Sequence, residues 1–268
     1  MTKIVHISDL HFGRVNLEVL EALLADIYAE RPELIAVSGD LTQRATDKEF
    51  RAARAFLDRL PPPFIVVPGN HDVPGIWRAF ERATRPLGRY KTHIAADLDQ
   101  TYFDDRLAVV GLNSARAWNW RWNGFWKDGA ISDRQLAWAR DQFAGAPSGA
   151  ARVVIVHHPP APPEPRHAHD CTVNAAALVR MLEESKVDLI LSGHLHLSHV
   201  EDLRSQYPAL ARQIWTIQAS TATSTRLRGR PNAYNVIAID GPSIAITIKE
   251  WTGTRFEAKQ SMRFARGV

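Results

Sequence analysis

Histidine, aspartate and asparagine recur in this chain directly behind short apolar runs. "SDLH" places Asp9 and His11 behind one run, "SGDLT" places Asp40 behind the next, and "PGNHD" places Asn70, His71 and Asp72 behind a third. Further along, "HHPP" contributes His157 and His158, and "SGHLH" contributes His194 and His196. Imidazole, carboxylate and carboxamide without thiolate suit Zn, Mn or Fe rather than a cysteine-rich structural site. The donors are too many for one tetrahedral ion and distribute better over two octahedral-like ions sharing a carboxylate. Two ions about 3.5–4 Å apart would clamp a phosphoryl centre and lower the pKa of a water between them. Taken singly, each residue reads as a polar cap at a strand end; their joint occurrence carries the metal reading.

The apolar runs that must position these residues are 3–8, 34–39, 64–69, 107–113, 152–158 and 187–193. Between them lie stretches with helical spacing at 16–30, 47–60, 132–145 and 174–185, with Asn16, Asp47, Ser132 and Asn174 as expected N-caps. Strands alternating with helices predict an α/β sheet covered by helices, in which ligands bind beyond the carboxyl ends of the strands. The glycines before Asp40, Asn70 and His194 are expected to let the backbone turn sharply there. From about residue 213 the pattern becomes strand-only, with Gly241-Pro242 as a turn, and predicts an antiparallel section that is a second sheet or a sheet edge. The Pro-rich piece 157–170 is a loop, since consecutive prolines neither donate ladder hydrogen bonds nor continue a helix.

A length of 268 residues is ample for a buried core, and hydrophobic and charged contents of 45% and 23% are ordinary for a globular chain. The formal charge of +4 permits an anionic substrate but predicts no specific nucleic-acid partner without a concentrated patch. The single cysteine, Cys171, excludes an internal disulfide, fits a reducing compartment and reads as a structural thiol. No run reaches the ~20 apolar residues of a membrane span, and the N-terminal stretch lacks the h-region of a secretory signal. The expected location is cytoplasmic, with peripheral membrane contact and homo-oligomer formation left open.

The ordered series D-x-H, G-D, G-N-H-D, H-H-P and G-H-x-H, running from Asp9 to His196, resembles the calcineurin-like metallophosphoesterase superfamily. All five blocks are present. The resemblance implies a four-layer α-β-β-α double β-sandwich, a single metallophosphoesterase domain over 1–268, with 213–268 forming part of the second sheet. It implies two divalent or trivalent metal ions, Mn, Fe or Zn. Asp9, His11 and His196 would hold the first, Asp40 would bridge, and Asn70, His157 and His194 would hold the second. His157 is assigned because it directly follows "VVIV"; His158 takes that place if the strand ends one residue later. His71 would stabilise the transition state and protonate the leaving oxygen. Asp72 would orient its other ring nitrogen, or else serve as a loop cap before Pro74. His199 falls outside the motif.

Substrate clues are less specific. The stretch 113–129 holds four of the eight tryptophans; Trp118, Trp120 and Trp122 recur at period two before Asn123-Gly124, which predicts a hairpin near Arg116, Arg121 and Lys127. It would stack a base, meet an acyl chain, form a subunit interface, or simply pack on its own core. Arg226, Arg228 and Arg230 are spaced to share one face of an extended chain, and with Arg14 they would neutralise a phosphate. Trp122 and His158 are further candidates for contact with substrate; His6 is expected to be buried, and His167 and His169 exposed. The resulting expectation is a phosphodiesterase, most like bacterial cyclic-nucleotide and glycerophosphodiester enzymes, in which a metal-bridging hydroxide attacks phosphorus in line. The alternatives are hydrolysis of a lipid-linked pyrophosphate and, from another class, a non-catalytic scaffold with a vestigial metal site.

Overall fold

The computed structural model describes residues 1–118, 128–163 and 170–267. Strands β1 (Thr2–Ile7), β2 (Leu34–Val37) and β3 (Phe64–Val66) run parallel, joined by helices α1 (Leu17–Glu30) and α2 (Asp47–Leu57). Asn16 caps α1 as expected, accepting from the N–H groups of Glu18 and Val19. For α2 the cap is Thr46 rather than Asp47. Thr46 Oγ1 accepts from the Glu49 N–H while the Glu49 carboxylate accepts from the Thr46 N–H, and Asp47 instead pairs with Arg89 and His93.

Two short helices, α3 (Ala79–Thr84) and α4 (Gly88–His93), lead to β4 (Gln100–Phe103) and β5 (Leu107–Gly111). Then follow α5 (Asp133–Ala144), β6 (Ala151–Ile155), α6 (Ala175–Glu184), β7 (Leu189–Ser192), β8 (His199–Asp202) and β9 (Trp215–Gln218). Ser132 caps α5 reciprocally with Gln135. Asn174 stands at the start of α6 but makes no cap bond; its amide pairs with the backbone of Ile131 instead. The chain closes with β10 (Ala233–Asp240), β11 (Ser243–Trp251) and β12 (Phe256–Ala265), with Gly241-Pro242 as the expected turn.

The strands form two six-stranded sheets, in the orders β12-β11-β10-β1-β2-β3 and β4-β5-β6-β7-β9-β8. Ile4, Ala36 and Ile237 from the first sheet meet Val109, Val153 and Leu191 from the second in one apolar layer. The outer face of the first sheet buries Leu23 and Ile27 of α1 and Phe50 and Phe56 of α2. The second sheet buries Leu136 and Phe143 of α5 and Leu178 and Leu182 of α6. The architecture is therefore the α-β-β-α double sandwich. Burial on both faces explains why the central strands read as continuous apolar runs rather than alternating ones.

Contrary to the expectation from sequence, residues 213–268 do not enter the second sheet as a block. Only β9 does so, parallel to β7. Strand β10 pairs antiparallel with β1, from Thr2↔Ile239 to His6↔Asn235, and carries β11 and β12 into the first sheet. The physical reason is the open side of β1, whose other side is taken by β2.

Candidate metal centre

The carboxyl ends of β1, β2, β3, β6 and β7 open on one rim, and the loops there carry the polar residues singled out in the sequence. Asp9, His11, Asp40, His194 and His196 all have positive φ, at 52°, 51°, 52°, 75° and 57°. Left-handed backbone is uncommon for residues with a side chain, and its concentration here marks a constellation held by its surroundings. Gly39, with φ of 92°, supplies the sharp turn expected of it. Gly69 and Gly193 are needed for close approach instead: a Cβ on Gly193 would lie 1.8 Å from Ser8 Oγ, and one on Gly69 would lie 2.2 Å from Asp40 Oδ1.

At one end of the cluster, His11 Nε2 faces His196 Nε2 at 3.0 Å, and Asp9 Oδ1 lies 3.7 Å and 3.2 Å from the two nitrogens. Asp9 Oδ1 is buried and accepts no hydrogen bond. Its partner oxygen Oδ2 accepts from Ser8 Oγ at 2.7 Å and from the His194 N–H at 3.0 Å. At the other end, His157 Nε2 lies 3.1 Å from Asn70 Oδ1 and 3.4 Å from Asp40 Oδ1. Asp40 Oδ2 reaches back to 3.8 Å from His11 Nε2, so this carboxylate stands between the two ends. The outer nitrogens Nδ1 of His11, His157 and His196 lie against the carbonyls of Thr42, Ser38 and Arg226 at 3.3, 2.7 and 3.3 Å. Donation to those carbonyls leaves Nε2 as the lone-pair nitrogen on the inner side, the arrangement of metal-ligating histidines.

Electrostatics agree with this geometry. Burial alone would raise the Asp9 carboxyl, but the imidazoles of His196 and His157 hold it below the usual range. Asp40 is likewise held low against burial, chiefly by His157 and His71. Burial pushes His11 down to about 3 and lowers His194, keeping both imidazoles neutral, while Asp40 and Asp9 overcome burial at His157 and push it up to about 9, so that without a cation His157 carries a proton on Nε2 that a metal ion would have to displace. Ionised carboxylates, opposed imidazole nitrogens and a buried oxygen without a hydrogen bond form a donor set that fits cations.

Among the described residues the sequence candidates fall into four groups. Asp9, His11 and His196 come together, as do Asp9, Asp40 and His157, and His11, Asp40 and His71; a further group joins His157 and His194 to His158. His157, not His158, faces Asp40 and Asn70; His158 stacks beside His157 and His194 with Nδ1 2.8 Å from Ser114 Oγ. His6 is buried against Ser38 and Asn235, and His199 lies on β8 beside Glu201, both outside the cluster. Trp122, Trp120, Arg121, Lys127, His167 and His169 lie outside the described residues; Trp118 is half exposed with the Arg82 guanidinium over its ring.

Asp72 does not orient His71. Its carboxylate accepts from the backbone N–H groups of Leu41, Thr42 and Gly69 and from Thr42 Oγ1. Burial, then Asp40, push it up to about 7 against those N–H groups. His71 Nδ1 instead meets the carbonyl of Gln43 at 2.9 Å and the Gln43 side-chain amide at 3.3 Å. Gln43, Ser8 and Ser114 were not singled out from sequence; Ser8 directly precedes the motif residue Asp9 and Gln43 stands three residues after Asp40, which is the only signal they gave. Nor do Arg226, Arg228 and Arg230 share an extended face. Residues 227–230 form a turn closed by the Arg230 N–H on Leu227 O, Arg228 has φ of 47°, and Arg230 lines a separate small cavity with Lys259.

A four-layer sandwich whose parallel strand ends bring carboxylates and imidazoles together is the architecture of metal-dependent phosphoesterases. The chain belongs to the calcineurin-like phosphoesterase family, which it matches over residues 2–198 and whose members typically bind two metal ions. It is 29% identical over 172 residues to the glycerophosphodiester phosphodiesterase GpdQ of Enterobacter lignolyticus, covering 59% of this chain and 57% of that protein. It is 27% identical over 248 residues to a cAMP/cGMP dual specificity phosphodiesterase of Mycobacterium tuberculosis, covering 86% and 73%. The chain thus spans little more than half the length of the first of these relatives. A dimetal phosphatase from Danio rerio shares the fold, with a TM-score of 0.68 at 13% identity over 98% of each chain. No helix among the described residues is long and apolar enough to cross a membrane.

Proposed function

We propose that this chain is a phosphodiesterase working with two metal ions on a small phosphodiester, of the cyclic-nucleotide or glycerophosphodiester type that its relatives are named for. The observation that carries the reading is the buried Asp9 Oδ1, which among the described residues accepts no hydrogen bond and lies beside two imidazole nitrogens that face each other at 3.0 Å. Asp9, His11 and His196 would hold one ion and Asn70, His157 and His194 the other, with Asp40 available to both. Bound there, the ions supply Lewis acidity and a nucleophilic water at neutral pH.

The remaining chemistry belongs to His71. With Nδ1–H donated to the Gln43 carbonyl, its Nε2 is the nitrogen turned toward His11 and Asp40, whose rings and oxygens group with it. Protonated at Nε2, it delivers a proton to the leaving alkoxide, and the Gln43 carbonyl steadies the imidazolium before transfer. Ser8 orients Asp9, and the His71 N–H on Asp40 Oδ1 at 2.8 Å orients Asp40.

Hydrolysis of bis(p-nitrophenyl) phosphate with and without Mn²⁺ tests the reading. Metal-dependent release of p-nitrophenol that is lost in Asp40→Ala supports it. No release with any divalent metal, or full activity in Asp40→Ala, overturns it.

A further inference from the structure

The rim beside His71 carries cations that no carboxylate answers. Arg226 is half-buried, and among the described residues its one side-chain hydrogen bond runs from Nη1 to Gln43 Oε1 at 3.3 Å. Gln43 is also the residue that meets His71 Nδ1. The Arg226 carbonyl lies 3.3 Å from His196 Nδ1, so the same residue touches this end of the cluster through its backbone as well. Arg14 is tied to the same rim, since the N–H and Oγ1 of Thr225 both donate to its carbonyl at 2.7 and 3.1 Å.

Neither Arg14 nor Arg226 forms an ion pair with a described residue. Arg54, Arg59, Arg78 and Arg89 by contrast each pair with a carboxylate, and what sets Arg226 apart from the other arginines without an ion pair is its half-buried place beside Gln43 and His196. The charge is also one-sided. At the opposite end of the cluster the residues beside Asn70, His157 and His194 are Ser114 and His158, and no arginine or lysine is among them.

A phosphodiester has one negative charge, and the metal cluster takes it. An unpaired guanidinium held next to the leaving-group acid has no partner in a neutral leaving alcohol, whereas its planar fork matches a phosphate. We infer that the preferred substrate is a phosphodiester whose leaving alcohol itself bears a phosphate, and that Arg226 binds that phosphate and sets the specificity. The inference rests on the phosphodiesterase chemistry above and moves the preferred substrate from the singly phosphorylated types for which the relatives are named to one with a second phosphate. Gln43 parks the guanidinium beside His71 until the second phosphate replaces its amide oxygen.

The test is equilibrium binding to the Mn²⁺-loaded full chain, measured by calorimetry, of thymidine 3′,5′-bisphosphate against the 3′- and 5′-monophosphates. The bisphosphate is expected to bind at least about tenfold more tightly than either monophosphate. Arg226→Ala narrows that gap to within about twofold, and Arg226→Lys keeps part of it. Arg263→Ala, on the exposed face of β12, leaves the gap in place and controls for general charge. Equal affinities in the unaltered chain, or a gap that survives Arg226→Ala, overturn the inference; a thermal melt of each variant shows that it is folded. Hydrolysis of bis(p-nitrophenyl) phosphate, run in parallel, separates the two claims. Activity without a binding preference sinks only the phosphate site, and a preference without activity sinks only the catalytic reading.

Discussion

The Gln43 carbonyl, 2.9 Å from His71 Nδ1, holds the imidazole that the neighbouring Asp72 leaves alone. A backbone carbonyl cannot take the proton it receives, so the tautomer of His71 is set by the path of the 40–43 loop rather than by a titrating side chain. His71→Ala is therefore expected to lower kcat by about 10²–10⁴-fold with bound metal unchanged, read by steady-state kinetics beside elemental analysis.

Asp72 acts on that loop. Removing its carboxylate in Asp72→Ala strands buried N–H groups of Leu41, Thr42 and Gly69. Each donor left without a partner costs on the order of 1–3 kcal/mol. Urea unfolding of the metal-free protein should show that loss directly, and an unchanged midpoint would contradict the contact set.

Ser8 is a positioning residue for Asp9, through the 2.7 Å bond from its hydroxyl to Oδ2. Ser8→Ala should weaken metal affinity about 10–100-fold, measured by titrating metal into the stripped protein. Retained affinity would mean that the His194 N–H alone orients the carboxylate.

Buried His6 gives a pH dependence with a definite sign. Burial takes it from the ordinary 6.5 down to about 3, so between those values the unfolded chain binds a proton that the folded chain refuses. Stability contributed by neutral His6 is complete above pH 6.5 and falls as the pH drops, by up to about 1.4 kcal/mol per pH unit. Unfolding curves from pH 7 to pH 4 should be shallower in His6→Gln than in the unaltered chain.

Cys171 is buried and its thiol is pushed up to about 12, by burial and then by Asp170 and Asp128. At pH 8 it should carry roughly a thousandfold less thiolate than a cysteine at the ordinary 9. Alkylation by iodoacetamide, followed by mass, should be correspondingly slow in the folded protein and rapid in urea.

What was legible in the sequence divides by burial. The central strands β1, β2, β5, β6 and β7 stood out because both faces are covered and most positions are apolar. Strands β4, β8 and β12 did not, and each lies at a sheet edge. "QTYF", "HVED" and "FEAKQSMRFA" are half-exposed or exposed along much of their length, so no apolar run betrays them. The metal-binding candidates were legible because each follows a buried strand. Gln43 was not, because its contribution to His71 comes largely from its carbonyl, which every residue has.

The donors are split between the two sheets. Asp9, His11, Asp40 and Asn70 follow strands of the first, and His157, His194 and His196 follow strands of the second. No ion can gather its imidazoles and carboxylates until the chain beyond His196 has been synthesised and the two sheets have closed face to face. An ion held by the proposed donors would therefore fasten the two halves of the sandwich at their rim.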